Sequence, residues 1–307
     1  MNSVHSQPLP TSIPRYLEQL RAALSGADPA LVQDALYDAE EYLRSELAEN
    51  PGRSEAEVIA SVAGSYGAPE EVADIYRDTE ARVQTALRPP PPTPRDSALG
   101  RFFGVAADPR TYGAMFYSIL ALATGIFYFV WVVTGISLSV GLSVIIIGIP
   151  FVILFLGSVR LLSLVEGRIV EVMLGERMPR RPLYADRERP VMTRIGEMFT
   201  DPRTWSTLLY MLAMLPLGIV YFTVAVTLLS LSLALVIAPP LAMFGAFDGW
   251  TLSGGWIGYW EPATTLGWWE LPIAFACGVV LLFATLHLLR GIGKVHGAIA
   301  KQLLVKV

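Results

Sequence analysis

The sequence predicts an all-α protein, in which a small cytoplasmic helical bundle precedes a four-helix transmembrane domain built from two repeated helical hairpins. Three observations support this. The chain has 307 residues, of which 53% are hydrophobic and only 16% are charged, a balance typical of membrane proteins. Its long apolar stretch at 112–165 is partly repeated further on. Residues 14–80, in contrast, place apolar side chains at helical spacing among many acids.

The apolar stretch 112–165 contains one formal charge, Arg160. A bilayer core of roughly 30 Å needs about 20 apolar residues per helix, so this stretch is long enough for two spans. Helices are expected because backbone groups in lipid must bond to one another. We predict spans near 113–134 and 143–164. Small residues between them predict the turn: Gly135, Ser137, Ser139, Gly141 and Ser143.

An internal repeat begins just before this stretch. The sequence Asp-Pro-Arg-Thr at 108–111 recurs at 201–204, and 15 of 32 positions are identical between 108–139 and 201–232. Apolar composition alone would not reproduce the charged Asp-Pro-Arg-Thr box. The sequence therefore predicts a duplicated hairpin.

The second hairpin is predicted to have spans near 206–228 and 271–290. Matching Arg160-Leu161-Leu162 to His287-Leu288-Leu289 requires an offset of 127, so about 34 residues are inserted relative to the first hairpin. The insertion includes 248–270, which contains five of the seven tryptophans: Trp250, Trp256, Trp260, Trp268 and Trp269.

Four amphipathic helices are predicted before the first hairpin. They lie near 14–24 and 29–49, after a capping box at Ser54–Glu57, and from Gly67 onwards. The predicted domains are a helical head at 14–88, a proline-rich linker at 89–99 and a membrane domain at 100–307, with repeat one at 108–178 and repeat two at 201–305.

The distribution of charge predicts the topology. Residues 1–88 carry a formal charge of −8 and the remainder +4. The segment 166–203 holds eight arginines, whereas 248–270 holds acids and no bases. Because basic residues favour the cytoplasmic side, both termini are expected in the cytoplasm and the tryptophan-rich loop outside. The N-terminus has no apolar core typical of a signal peptide.

Three motifs in the head resemble a known signalling domain. They are YLEQLRAAL at 16–24, DALYDAEEYL at 34–43 and YGAPEEVADIY at 66–76. The head is similar to the HTH-associated alpha-helical signalling (HAAS) domain of bacterial membrane proteins. The resemblance implies communication with a transcription regulator, often of the PadR type, or with another cytoplasmic signalling protein. The spacing alone favours a small helical bundle that has a solvated acidic face.

The membrane part resembles the "putative sensor" domain found in front of actinobacterial histidine kinases. The resemblance rests on the two Asp-Pro-Arg-Thr boxes, on VVTGISLSVGL and IIIGIP within 132–150, on the tryptophan-rich loop and on GKVHGAIAKQLL at 293–304. It implies a multi-pass protein of the bacterial cytoplasmic (inner) membrane. Since the given sequence ends at Val307 without a kinase segment, kinase activity is not expected to carry over.

No catalytic or metal-ligating constellation is visible in the sequence. The three histidines are scattered, Cys277 is the single cysteine, and no cofactor, enzymatic activity or direct nucleic-acid binding is expected. Arg160 is expected to extend towards the cytoplasmic surface. Each Asp-Pro-Arg-Thr box is expected to begin an interfacial helix, and its candidate residues are Asp108, Arg110, Asp201 and Arg203.

Two interpretations of the five loop tryptophans are open. They anchor the loop at the membrane interface, or their rings form a pocket for an apolar or cationic ligand. The first hypothesis for the whole chain is a non-enzymatic sensor, with the loop and membrane body as input and the head as output. The alternatives are an accessory subunit of a membrane transport system, a small transporter, or a membrane scaffold.

Overall fold

The computed structural model describes residues 9–87, 97–142, 148–180, 196, 199–244 and 268–305, and four pairs of strand residues between 251 and 265. This part of the chain is built from nine α-helices, one 3-10 turn and four strands of two residues each. The predicted all-α fold class is therefore confirmed.

The head consists of α1 (Ile13–Ala23), α2 (Pro29–Glu49), α3 (Glu55–Ala63) and α4 (Pro69–Leu87). The predicted capping box begins α3: Ser54 Oγ accepts from the backbone N–H of Glu57 at 3.4 Å, and Glu57 accepts from the backbone N–H of Ser54 at 2.9 Å. The hydrogen bond from the Ser54 backbone lowers the pKa of Glu57.

The head has its own hydrophobic core. Its fully buried residues come from all four helices and the α1–α2 loop, and they include Tyr16, Leu20, Leu24, Leu43, Ile59 and Ala73. The Tyr16 hydroxyl donates to the Gly67 carbonyl at 2.8 Å, and the Tyr76 hydroxyl donates to Asp38 at 2.8 Å. Burial raises the pKa of both phenols, so they remain neutral donors at neutral pH.

The rest of the described chain begins with α5 (Ala98–Phe103) and a 3-10 turn (Gly104–Ala107). Four long helices follow: α6 (Pro109–Leu142), α7 (Gly148–Leu174), α8 (Pro202–Met243) and α9 (Glu270–Leu304). Within the described residues, these four are long and apolar enough to cross a membrane. The protein is thus a multi-pass membrane protein.

The predicted turn of the first hairpin is wrong in position. α6 continues through the small residues from Gly135 to Leu142, and α7 begins at Gly148; Ser143 lies outside the described residues. In lipid a continued helix is lower in free energy than a turn, because the helix satisfies its backbone hydrogen-bonding groups internally. Gly135 also has a packing role, because a Cβ there would lie 2.7 Å from Cζ of Phe155.

The other predicted spans are correct in place but too short. The third extends from Pro202 to Met243, and the fourth from Glu270 to Leu304. At about 1.5 Å per residue, both exceed the roughly 30 Å core of a bilayer. Hydropathy marks only the apolar part of such a helix, whereas the hydrogen-bonded helix continues beyond it.

Four short strands lie between α8 and α9. Residues Thr251–Leu252 pair with Thr264–Thr265, and Gly255–Trp256 pair with Tyr259–Trp260, both antiparallel. The inserted loop is therefore partly ordered by backbone pairing.

The chain divides into two compact units. The first comprises Met1–Pro91, Val132–Tyr210 and Ala298–Val307, and the second comprises Pro92–Trp131 and Met211–Gly297. The first unit therefore contains the head, all of α7 and the end of α9.

Glycines mark a close crossing of α6 and α8 in the second unit. A Cβ at Gly125 would lie 2.9 Å from the Met214 carbonyl carbon, and one at Gly218 would lie 2.7 Å from the Ala121 carbonyl carbon. Both contacts are shorter than van der Waals separation. Gly125 and Gly218 are 93 residues apart and therefore occupy the same position in the two repeats. Each repeat thus supplies one of the two glycines at this helix crossing.

Candidate functional site

Each Asp-Pro-Arg-Thr aspartate has two partners. Asp108 caps α6, because its Oδ1 accepts from the backbone N–H of Arg110 at 3.0 Å. Its Oδ2 lies 2.7 Å from Nη2 of Arg290, near the middle of α9. The predicted capping is thus present, together with an ion pair that the sequence analysis did not predict. The Arg110 side chain is exposed.

Asp201 repeats this arrangement in the first unit. Its Oδ1 accepts from the backbone N–H of Arg203 at 3.1 Å, and its Oδ2 lies 3.4 Å from Nη2 of Arg160 in α7. Arg160 therefore contacts the start of α8, and its extension towards the cytoplasmic surface stays a prediction. Arg203 is half-buried. The location of both boxes at the membrane interface stays a prediction.

Two buried tyrosines form a second set of equivalent contacts. The Tyr210 hydroxyl donates to Oε1 of Glu166 at 2.9 Å, and the Tyr117 hydroxyl lies 2.5 Å from Nε2 of His296. Glu166 and His296 are both fully buried. Tyr117 and Tyr210 occupy the same position in the two repeats.

These contacts show that the repeats exchange partners. The first long helix of each repeat is bonded to the second long helix of the other, through Asp108 with Arg290 and through Asp201 with Arg160. Arg160 is therefore equivalent to Arg290, and Glu166 to His296, at an offset of 130. The offset of 127 predicted from the Leu-Leu match to His287 is wrong by one helical turn, so the insertion is 37 residues.

The candidate tryptophans are only partly described. Trp250 lies outside the described residues, while Trp256 and Trp260 are strand residues whose backbones alone are described. Trp268 and Trp269 are exposed. Both readings of the loop, interface anchor and ligand pocket, stay predictions.

The head is bonded to the segment that follows α7. This segment leaves the helix at Gly175, whose φ of +76° is a left-handed conformation that glycine adopts easily. Nη2 of Arg177 lies 3.1 Å from Oδ2 of Asp34 in α2, and its Nη1 pairs with Oε2 of Glu80 in α4. These three side chains are only 7–14% exposed.

A second contact joins the head to α9. Nζ of Lys301 lies 2.5 Å from Oδ2 of Asp28, whose Oδ1 accepts from the backbone N–H of Ala30 at the start of α2. The head is therefore attached to the ends of two membrane-spanning helices that belong to different repeats.

Comparison with protein families identifies this architecture. The family model described as "Putative sensor" matches residues 117–304, more than half of the chain. The chain belongs to this sensor family. The HAAS family model matches residues 15–75 of the same chain, which confirms both resemblances seen in the sequence. No curated protein and no solved structure matches the chain.

The sensor's family membership and its helices agree on a membrane signalling role, and both matched families are signalling rather than enzyme families. Sequence reasoning missed Glu166 and Arg177 as contact residues of the sensor. When the repeats are aligned at an offset of 130, Arg160 matches Arg290 and Glu166 matches His296. Glu166 and His296 are the residues that contact the two repeated tyrosines. No sequence signal indicates Arg177, because its partners lie 97 and 143 positions away.

Proposed function

We propose that this protein is a non-enzymatic sensor of the bacterial cytoplasmic membrane. Its outer loop and membrane helices receive the input, and its N-terminal head passes the output to a cytoplasmic transcription regulator, of the PadR type that the HAAS resemblance suggests. The input biases the head between two states, which a stimulus can do only through different affinities for them.

The attachment of the head to two membrane-spanning helices supports this proposal. Arg177 follows α7 and Lys301 lies near the end of α9, and both pair with acids of the head. A change in the packing of α7 against its neighbours would displace Arg177, and the head would lose a buried contact. A head joined only by a flexible tether would not respond in this way.

Deleting residues 14–80 tests the proposal. We expect the deletion to abolish the transcriptional response of the host cell to membrane stress, because the output domain is gone. The measurement is a comparison of transcriptomes with equal amounts of wild-type and truncated protein in the membrane. A response identical to that of the wild type would disprove the signalling proposal.

A matched pair of variants tests the loop as input. Trp256→Ala with Trp260→Ala is expected to reduce the same response severalfold, while Trp131→Ala, which changes an exposed tryptophan of α6 outside the loop, reduces it less. Equal responses from the two proteins would exclude these rings from the input.

The proposed orientation is tested by cysteine labelling. In a protein with Cys277 replaced by Ala, a single cysteine introduced as Gly254→Cys should react with an impermeant maleimide from outside the cell. Ala185→Cys should react only in inverted vesicles, because the arginine-rich segment is proposed to be cytoplasmic. Labelling of both sites from the same side would contradict a four-span topology.

A transport accessory is the second candidate function. Glu166 and His296 are fully buried ionisable residues in membrane-spanning helices, and such residues often mark ion pathways. Each is bonded to a tyrosine, which favours a structural role over a conducting one. This candidate becomes the preferred one if the head deletion leaves transcription unchanged and co-purification recovers a transport ATPase.

A further inference from the structure

We propose that the acidic notch, formed by Asp34 of α2 and Glu80 of α4, is a binding site for an arginine-bearing segment of a cytoplasmic partner protein. Arg177 of the chain itself occupies this notch and blocks it. The inference deepens the proposed function, on which it rests, by giving the chemistry of the output site.

The notch fits one guanidinium group. The two terminal nitrogens of Arg177 each pair with a carboxylate of a different helix, and its side chain is only 10% exposed. A planar guanidinium presents several donors in fixed directions, whereas an ammonium group is a compact point charge. Charge-assisted hydrogen bonds of this kind are about twice as strong as neutral ones. The notch therefore selects arginine over lysine.

The notch also recognises backbone. The N–H of Arg180 donates to Oδ1 of Asp34 at 2.8 Å, while Oδ2 of the same carboxylate receives Arg177. A ligand consequently needs an arginine and, three residues later, a residue with a free N–H. Proline at that later position would remove the donor.

The resident segment belongs to the membrane part of the chain. Met178 is fully buried, and a Cβ at Gly167 of α7 would lie 3.3 Å from its Cβ. Arg177 is thus positioned by α7, while both carboxylates belong to the head. Movement of α7 against the head would withdraw the Arg177 guanidinium from Asp34 and Glu80.

The resident arginine is an imperfect ligand. Its Nε is buried, and no acceptor for it is found in the described part of the chain. A buried donor left unsatisfied destabilises the contact in which it lies. An arginine that reaches an acceptor for its Nε would therefore compete well for the notch.

The charge of the head identifies a protein as the occupant. Residues 1–88 carry a formal charge of −8, which repels nucleic acids and anionic lipid surfaces. A basic segment of a protein is attracted to the same surface and supplies both the guanidinium and the backbone donor.

The test uses the full-length protein in lipid nanodiscs and a fluorescent peptide that copies residues 172–183. The Arg177→Gln chain is expected to bind this peptide at least tenfold more tightly than the wild-type chain, because no guanidinium of its own then pairs with Asp34 and Glu80. A control peptide with glutamine in place of Arg177 is expected to bind the Arg177→Gln chain at least tenfold more weakly. Adding Asp34→Asn to the chain should abolish peptide binding.

Equal binding by the wild-type and Arg177→Gln chains would overturn the proposal, and so would equal binding of the two peptides. If the Arg177→Gln chain is not folded by circular dichroism and size-exclusion chromatography, Arg177→Lys replaces it, with the same expectation of tighter peptide binding. Peptide binding does not depend on transcription. A head deletion without transcriptional effect would therefore refute the proposed function without bearing on peptide binding by the full-length chain. Failed peptide binding would refute the proposal for the notch and leave the proposed function standing.

Discussion

Gly218→Val in α8 is expected to prevent the membrane helices from reaching their native packing, whereas Gly157→Val in α7 is tolerated. A Cβ at Gly218 would overlap the backbone carbonyl of Ala121, while a Cβ at Gly157 would meet nothing within 4 Å. Overpacking a core costs about 1–3 kcal/mol when side chains can move. Here the obstacle is backbone, so we expect a loss of about 3 kcal/mol or more.

The measurement is the thermal unfolding temperature of the detergent-solubilised protein, monitored as the fraction of protein that stays monodisperse. Gly125→Val should resemble Gly218→Val, because its Cβ would overlap the Met214 carbonyl in the equivalent place. A Gly218→Val protein that unfolds at the wild-type temperature would show that α6 and α8 do not cross at these glycines.

Tyr210→Phe is expected to lower the free energy of unfolding by about 1–3 kcal/mol, because it removes a donor to a carboxyl group that is fully buried. Tyr117→Phe makes the same change at the equivalent position, against the imidazole of His296. For this neighbour we expect about 0.5–1.5 kcal/mol. The two variants remove the same atom, so they differ only in the partner that is left.

Equilibrium unfolding in mixed micelles with increasing SDS measures both values. Glu166→Gln combined with Tyr210→Phe serves as the control, because the two losses should not add when the residues share one hydrogen bond. Additive losses would contradict a direct contact between Tyr210 and Glu166.

Local sequence signals determined the elements that were predicted well. Pro29, the capping box at Ser54 and the Asp-Pro pairs at 108 and 201 give helix starts within one or two residues, since proline and capping side chains act on the adjacent backbone. The repeat likewise predicted that two hairpins of the same kind would form.

The failures involve forces that a local pattern does not report. Gly135 suggested a turn, yet in an apolar surrounding the helix continues and the missing Cβ admits Phe155. The register error arose because two leucines matched more easily than Arg160 with Arg290, whose equivalence rests on ion pairs with distant aspartates. Arg177 and the notch depend on tertiary contacts alone.

The exchange of partners between repeats imposes an order on biosynthesis. Tyr117 leaves the ribosome 179 residues before His296, which at about 5–20 residues per second is a delay of roughly 10–35 s. During that time Arg290 has not been synthesised, so Asp108 lacks the partner that it has in the folded protein. The last helix to be synthesised therefore supplies contacts to the first. A chain interrupted within α9 would leave α6, its earliest membrane-spanning helix, without these partners.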